Sequence, residues 1–261
     1  MENLFLKRPF EKLDLTNTEV ILVISSLHNA FNDVPLDQIV LKIRQIYESL
    51  KNITSKDRLL VFPAFTYSFT TTGIFDLNLS HPERMGALSK MAFKEKSFFR
   101  TPSPMTSFLI WPPEPKIKIN TFSTTFGNTS FFGWLKKQKC RIILIGKIPD
   151  NELGWIAAHY CEEISNVPYR YFKTFRGKII TGFPNSLKHT QLHYARRLSM
   201  NVKNDYTILN QKLRERNMRT DFETANISVS SVWYHDIIKI SKEILEDNPY
   251  GLTNLRENSD L

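Results

Sequence analysis

Regular patterning begins at residues 20–24, an unbroken β-branched and Leu run that ends in Ser25-Ser26. Such a run predicts a strand buried on both faces, followed by a loop. After Pro35, apolar residues fall at Leu36, Ile39, Val40, Ile43, Ile46, Tyr47 and Leu50. That spacing predicts a helix, with Asp33 as its cap and Pro35 in its first turn. Residues 59–62 are a second apolar run, stopped by Pro63. A strand, a helix and a strand in this order predict a parallel crossover unit. The motif returns in residues 141–146, which read as a central strand, and residues 152–164, which read as a helix after a Pro-Asp-Asn loop. Between the two units, residues 85–93 look helical, residues 107–111 look like a strand, and Pro112-Pro113-Glu114-Pro115 reads as a turn. Residues 231–246 carry a last helical pattern before Asn248-Pro249, and the polar tail past Leu252 is expected to fray. No internal repeat or low-complexity tract is present. The expectation is an α/β fold with one domain over residues 1–252 and a polar tail over 253–261.

Composition changes this picture little and narrows the setting. With 41% hydrophobic and 23% charged residues, the chain has ordinary globular usage. Its 19 Phe can furnish an aromatic core. No apolar run approaches the roughly 18–20 residues that cross a bilayer, and Met1-Glu2-Asn3-Leu4 lacks the order of a secretory signal. Cys140 and Cys161 are the only cysteines, which excludes a disulfide framework and a four-cysteine zinc site. A cytoplasmic location is the expectation. The formal net charge of +9 suits either a solvated basic surface or an anionic ligand. Because the basic residues are dispersed and no RNP, zinc-finger or basic-zipper pattern accompanies them, nucleic acid is not the expected partner.

Four stretches could carry chemistry. Ile24-Ser25-Ser26-Leu27 lies at a strand end, where loop amides and hydroxyls can hold a pyrophosphate or simply make a turn. Phe126-Gly127-Asn128-Thr129-Ser130, ahead of Gly133-Trp134-Leu135, reads as a helix start capped by Thr129 or Ser130. In His159-Tyr160-Cys161-Glu162-Glu163, helical spacing lets Glu162 or Glu163 reach the imidazole. A carboxylate partner fixes the tautomer and raises the basicity of the other ring nitrogen, as a general base requires. Cys161 reads as a buried small hydrophobe, because adjacent helical positions point different ways. A zinc reading lacks the second His of an HExxH motif. His28, His81, His189, His193 and His235 read as surface or structural residues. Finally, Val167-Pro168-Tyr169-Arg170-Tyr171-Phe172-Lys173 interleaves aromatic and basic residues, suiting either a sugar or nucleotide or a half-buried strand.

Taken in order, these pieces resemble the aminoglycoside 3-N-acetyltransferase family. The run passes from Ser25-Ser26-Leu27 through Val61-Phe62-Pro63-Ala64-Phe65-Thr66-Tyr67, Met85-Gly86-Ala87-Leu88, Arg100 and Ser107-Phe108. It continues through Phe126-Gly127-Asn128-Thr129-Ser130 and Ile143-Leu144-Ile145-Gly146 to His159-x-x-Glu162 and Val167-Pro168-Tyr169-Arg170. The resemblance implies a single-domain α/β/α sandwich of that family's type, distinct from the GNAT fold. It implies acetyl-CoA, or another acyl-CoA, as co-substrate and no metal. Ser25, Ser26, Leu27, Ser107 and Phe108 would flank the CoA. His159, oriented by Glu162, would take the proton of the acceptor amine, and no covalent acyl-enzyme is needed. Phe65, Tyr67, Asp76, Arg100, Tyr169 and Arg170 would serve the acceptor.

The chain departs from antibiotic-modifying members in three places. Ile24-Ser25-Ser26 stands where they read His-Ser-Ser, and Ser103-Pro104-Met105-Thr106-Ser107 replaces a His-Pro-x-His-Ser run. Trp155, Ile156, Ala157 and Ala158 stand where they carry a hydroxyl residue shortly before the His. Their acceptor pockets are acidic, whereas this chain is basic. The expected acceptor is therefore an anionic small-molecule amine, such as a nucleotide-linked amino sugar of polysaccharide biosynthesis, handled by a monomer or homodimer. The alternatives are an aminoglycoside N-acetyltransferase and a catalytically silent homologue that binds CoA or a partner. A hydrolase using Ser25 or Ser26 is opposed by the lack of a G-x-S-x-G elbow.

Overall fold

The three apolar runs become neighbouring parallel strands. In the computed structural model, β1 (Val20–Ser26) pairs with β2 (Leu59–Pro63) on one side and β6 (Cys140–Gly146) on the other. The structure describes residues 10, 13–27, 31, 34–54, 58–113, 122–182, 184–223 and 227–255. The expected Asp33 cap, the Glu114-Pro115 half of the turn and the tail past Leu255 lie outside them. Antiparallel strands extend the sheet at both edges: β4 (Phe99–Arg100) and β5 (Phe108–Trp111) beyond β2, β10 (Ser228–Trp233) and β9 (Arg219–Glu223) beyond β6. The order is β4-β5-β2-β1-β6-β10-β9.

Alternate residues of the central strands feed two cores. Ile21, Val23, Ile143 and Ile145 pack under α1 (Leu36–Ile53) and α3 (Gly86–Glu95). Leu22, Ile142 and Leu144 face a core shared with α4 (Phe131–Leu135), α5 (Ala158–Ile164), α6 (Thr207–Glu215) and α7 (Tyr234–Asp247). The arrangement is the expected α/β/α sandwich. A short helix, α2 (Phe69–Thr72), leads into β3 (Ile74–Asp76). With the long hairpin of β7 (Arg170–Gly182) and β8 (Asn185–Arg196), β3 forms a second, three-stranded sheet.

The chain goes from β1 outward to β2 in one direction and returns to β6 on the other side. This reversal puts the carboxyl ends of β1 and β6 at the place where ligands gather in such sheets. Ser25 and Ser26 are the last residues of β1 rather than a loop, paired with Ile145 and Gly146. Gly146 adopts φ 93°, and a Cβ there would come within 1.9 Å of the Ser26 carbonyl oxygen, so only glycine lets the two strand ends close.

Three expectations are corrected. Residues 152–157 are turns, and α5 starts only at Ala158. Leu153, Trp155, Ala157 and Ala158 are all buried, which one helical face does not allow, and the backbone instead turns through left-handed conformations at Trp155 (φ 51°) and Ile156 (φ 62°). Such conformations cost of order 1–3 kcal/mol each in non-glycine residues and persist where surrounding contacts impose them. Residues 231–233 belong to β10, where Ser231 and Val232 pair with Ile143 and Ile142. The chain also stays packed past Leu252, since Thr253 is buried and bridges Asn204.

Candidate active site

Helix α5 presents His159 and Glu162 one turn apart. Glu162 Oε2 lies 2.6 Å from His159 Nδ1, and of the two candidate carboxylates it is the one bound to the ring. Its side chain is fully buried while that of His159 is 28% exposed, so the imidazole meets solvent and the carboxylate does not. Burial alone would favour the neutral acid. The Arg170 guanidinium 2.9 Å away, the imidazole, and the Tyr169 hydroxyl donating at 3.0 Å to Oε1 overcome it and hold Glu162 ionised, with its pKa down at about 2. Arg170 also donates to the Tyr194 carbonyl, and its buried Nε has no partner among the described residues.

Glu163 faces the other way. It accepts from the Phe126 amide, and a Cβ on Gly127 would fall 2.1 Å from its Oε1, so the carboxylate lies in a cradle that glycine leaves open. Burial pushes its pKa up to about 7. The neighbouring helix residue Tyr160 donates from its hydroxyl to Asn128. Ser130, one of the two candidate caps, donates to the Gly127 carbonyl and accepts from the Phe132 and Gly133 amides at the start of α4. Residues 126–130 are thereby clamped to α5. The Phe126 ring packs 5.0 Å from the His159 ring.

From Phe126 an aromatic wall runs to Phe132 (5.3 Å), Phe65 (6.5 Å) and exposed Tyr67 (6.2 Å). This wall brings the loop after β2 into line with the His159 site. Ser25 is at the start of α3: a Cβ on Gly86 would be 2.9 Å from its Oγ, and that helix starts without a side-chain cap. Leu27 is largely buried. Asp76 accepts from the Asn78 and Leu79 amides in a turn.

The other expected site residues lie elsewhere. Ser107 and Phe108 are fully buried. The Ser107 hydroxyl donates to the Ala64 carbonyl, and Phe108 packs among Phe65, Phe131 and Phe132, so neither presents a surface to CoA. Arg100 is buried with all five donors engaged by Ser107, the Leu77, Ser80 and Ala64 carbonyls, and Thr66, which leaves none for an acceptor. Its guanidinium stacks on Phe75 and Phe93 and fastens the loops around β2. Tyr169 and Arg170 stand behind Glu162, both buried, and act on that carboxylate. Cys161 is buried with its thiol pushed up to about 12, which keeps it protonated.

Sequence reasoning missed His193. It lies on β8 directly opposite Lys173, packs 5.6 Å from the Phe126 ring, and bonds Thr125 Oγ1 through Nδ1. The one available signal was the pairing register of the hairpin, which a single sequence does not specify. His189, by contrast, is a buried structural residue bound to Gln191.

Among the described residues, no helix is long and apolar enough to cross a membrane. No curated protein matches the chain. Several solved structures do match over most of their length. AAC-VIa bound to sisomicin gives a TM-score of 0.73 at 14% identity, covering 93% of this chain and 96% of that one. The apoenzyme of AAC(3)-IVa gives 0.68 at 16%, with 90% and 84% covered. YokD from Bacillus subtilis gives 0.68 at 14%, with 90% of each chain covered. At these identities the likeness is one of fold. A model of the aminoglycoside 3-N-acetyltransferase family matches residues 25–246, from the end of β1 into α7. The chain belongs to that family and is an N-acetyltransferase.

Proposed function

We propose that the protein moves an acetyl group from acetyl-CoA to a primary amine on an anionic small molecule, with His159 as general base. The observation that carries this reading is the His159–Glu162 pair. A buried, ionised carboxylate 2.6 Å from Nδ1 fixes the tautomer in which Nε2 is left to accept a proton. An amine is protonated near neutral pH and must shed a proton to attack a thioester. The ammonium first gives one proton to bulk water; as the neutral amine then forms the new N–C bond, its nitrogen gives a second proton to Nε2. When the C–S bond breaks, the imidazolium returns it to the departing sulfur. The CoA end of the site is assigned to Ser25 and the start of α3, which among the described residues has no side-chain cap; a hydroxyl beside a helix N-terminus suits a phosphate. Ser26 and Leu27 continue the same edge.

The anionic acceptor is argued from charge. Residues 170–196, which form the hairpin over the site, contain six Lys or Arg and no Asp or Glu. Glu162 and Glu163, the carboxylates beside His159, are both buried and bonded within the fold. A nucleotide-linked amino sugar, as in polysaccharide biosynthesis, has the amine and the charge. The second reading, an aminoglycoside acceptor, is favoured by the family match itself. Release of free CoA from acetyl-CoA, measured against panels of nucleotide-linked amino sugars and of aminoglycosides, separates the two. His159→Ala should lower turnover about 10²–10⁴-fold with acetyl-CoA binding intact. Unchanged turnover would remove His159 from the chemistry.

A further inference from the structure

The tetrahedral intermediate of acyl transfer carries its charge on the former carbonyl oxygen, which needs a donor held in place beforehand. The residues just ahead of the base, Trp155, Ile156, Ala157 and Ala158, have no hydroxyl to offer. A donor is found at the Phe126 ring. His193 packs 5.6 Å from that ring and His159 packs 5.0 Å from it, so both imidazoles rest on one side chain. Each has its Nδ1 tied to the protein, His159 to Glu162 and His193 to Thr125. Their hydrogen bonds run in opposite senses. Glu162 can only accept, which makes His159 Nδ1 a donor and Nε2 an acceptor. Thr125 is fully buried, and among the described residues the one acceptor in reach of its hydroxyl is His193 Nδ1. A buried hydroxyl proton without an acceptor is costly. The hydroxyl therefore donates to Nδ1, and His193 carries its hydrogen on Nε2.

We propose, building on the acetyl-transfer reading, that His193 is a second catalytic residue, whose Nε2–H donates to the thioester carbonyl of bound acetyl-CoA and to the oxyanion it becomes. The carbonyl oxygen takes the electron pair as nitrogen attacks and returns it when sulfur leaves. The His193 proton stays on Nε2 throughout, and His159 alone carries the proton in transit. The surroundings suit a neutral donor. Burial lowers the pKa of His193 to about 4, and the charges of Arg170 and Lys173 act in the same sense, joined by His159 once it carries the proton. The ring is thus an imidazole rather than an imidazolium at neutral pH.

The test uses acetyl-CoA labelled with ¹³C at the carbonyl, bound to the full chain and read by infrared difference spectroscopy. The carbonyl band should move to lower wavenumber on binding. His193→Phe should abolish that displacement, and His193→Gln, which keeps an N–H, should restore part of it. In turnover, His193→Phe should lower kcat about 10²–10³-fold with KM for acetyl-CoA unchanged. A displaced band that persists in His193→Phe overturns the assignment while leaving acetyl transfer standing. Failure of the wild type to bind acetyl-CoA would instead overturn the acetyl-transfer reading beneath it. Should the variants not fold, long-range ¹⁵N spectra of the wild type decide. An Nε2–H tautomer supports the donor, and an Nδ1–H tautomer excludes it.

Discussion

Adjacent glutamates in one helical turn are driven in opposite directions, and the sign of each has a measurable consequence. Glu162 is held at about 2 by Arg170 and His159, below its ordinary value of 4.5. Its stabilising contribution is complete above about pH 4.5 and is lost as pH falls through about 2. Glu163 is raised by burial to about 7. Its contribution is complete below about pH 4.5 and is lost as pH rises through about 7. The full change is about 3–4 kcal/mol, at 1.36 kcal/mol per unit, most of it between pH 5 and pH 8. Denaturant titrations at pH 5 and pH 8 should therefore show a loss toward pH 8 in the wild type that Glu163→Gln largely removes. An equal loss in both proteins would show that Glu163 titrates in the ordinary range. The roles of these residues were unequally legible. His159 and Glu162 are three residues apart on one helix, and local geometry nearly dictates their pairing. His193 reaches the same place only through the register of a hairpin and the packing of Phe126. No local rule gives either.

At the scale of elements, the turn ahead of α5 is held by one side chain from α6. Asn210 donates through Nδ2 to the Asp150, Leu153 and Tyr206 carbonyls, and its Oδ1 accepts from the Trp155 indole and from Arg219. These bonds fasten residues 150–155 in the left-handed path that precedes His159. Asn210→Ala leaves several buried groups unpaired at once and should lower stability by about 2–4 kcal/mol. Turnover should fall as well, even under conditions where circular dichroism reports a folded chain. Full activity in the folded variant would show that the placement of His159 does not depend on this turn. The same region marks where element reading succeeded and where it stopped. Runs buried on both faces of the sheet, as in β1, β2 and β6, announce themselves by composition. The turn of residues 152–157 reads as helix because it follows a Pro-Asp-Asn loop and leads without a break into α5, and the Asn210 contact that overrides that reading comes from α6. In β10, Ser231 and Val232 extend the periodicity of α7 until their pairing with β6 decides otherwise.

At the scale of the whole molecule, six of the 35 Lys and Arg lie on a hairpin beside the site that has no Asp or Glu. Lys178 and Lys188 stand directly opposite one another in that hairpin, a like-charge pairing that opposes sheet formation. Raising salt from about 0.1 M to about 1 M shortens the screening length from about 10 Å to about 3 Å. Initial rates should then show KM for an anionic acceptor rising several-fold while kcat holds. A KM that falls with salt would point to a cationic acceptor, as the aminoglycoside reading requires. The charge was legible in the composition, but its gathering beside the aromatic wall depends on a second sheet that weak, polar strands concealed. Helix α5, which carries His159, packs against α7, and the Cys161 thiol donates to the Ile238 carbonyl there. A ribosome delivers α7 after every strand and every reacting group of the site. During synthesis the growing chain can complete its central parallel strands early, yet His159 has no seat until α7 emerges. Newly made protein should thus stay chemically silent until synthesis has passed α7.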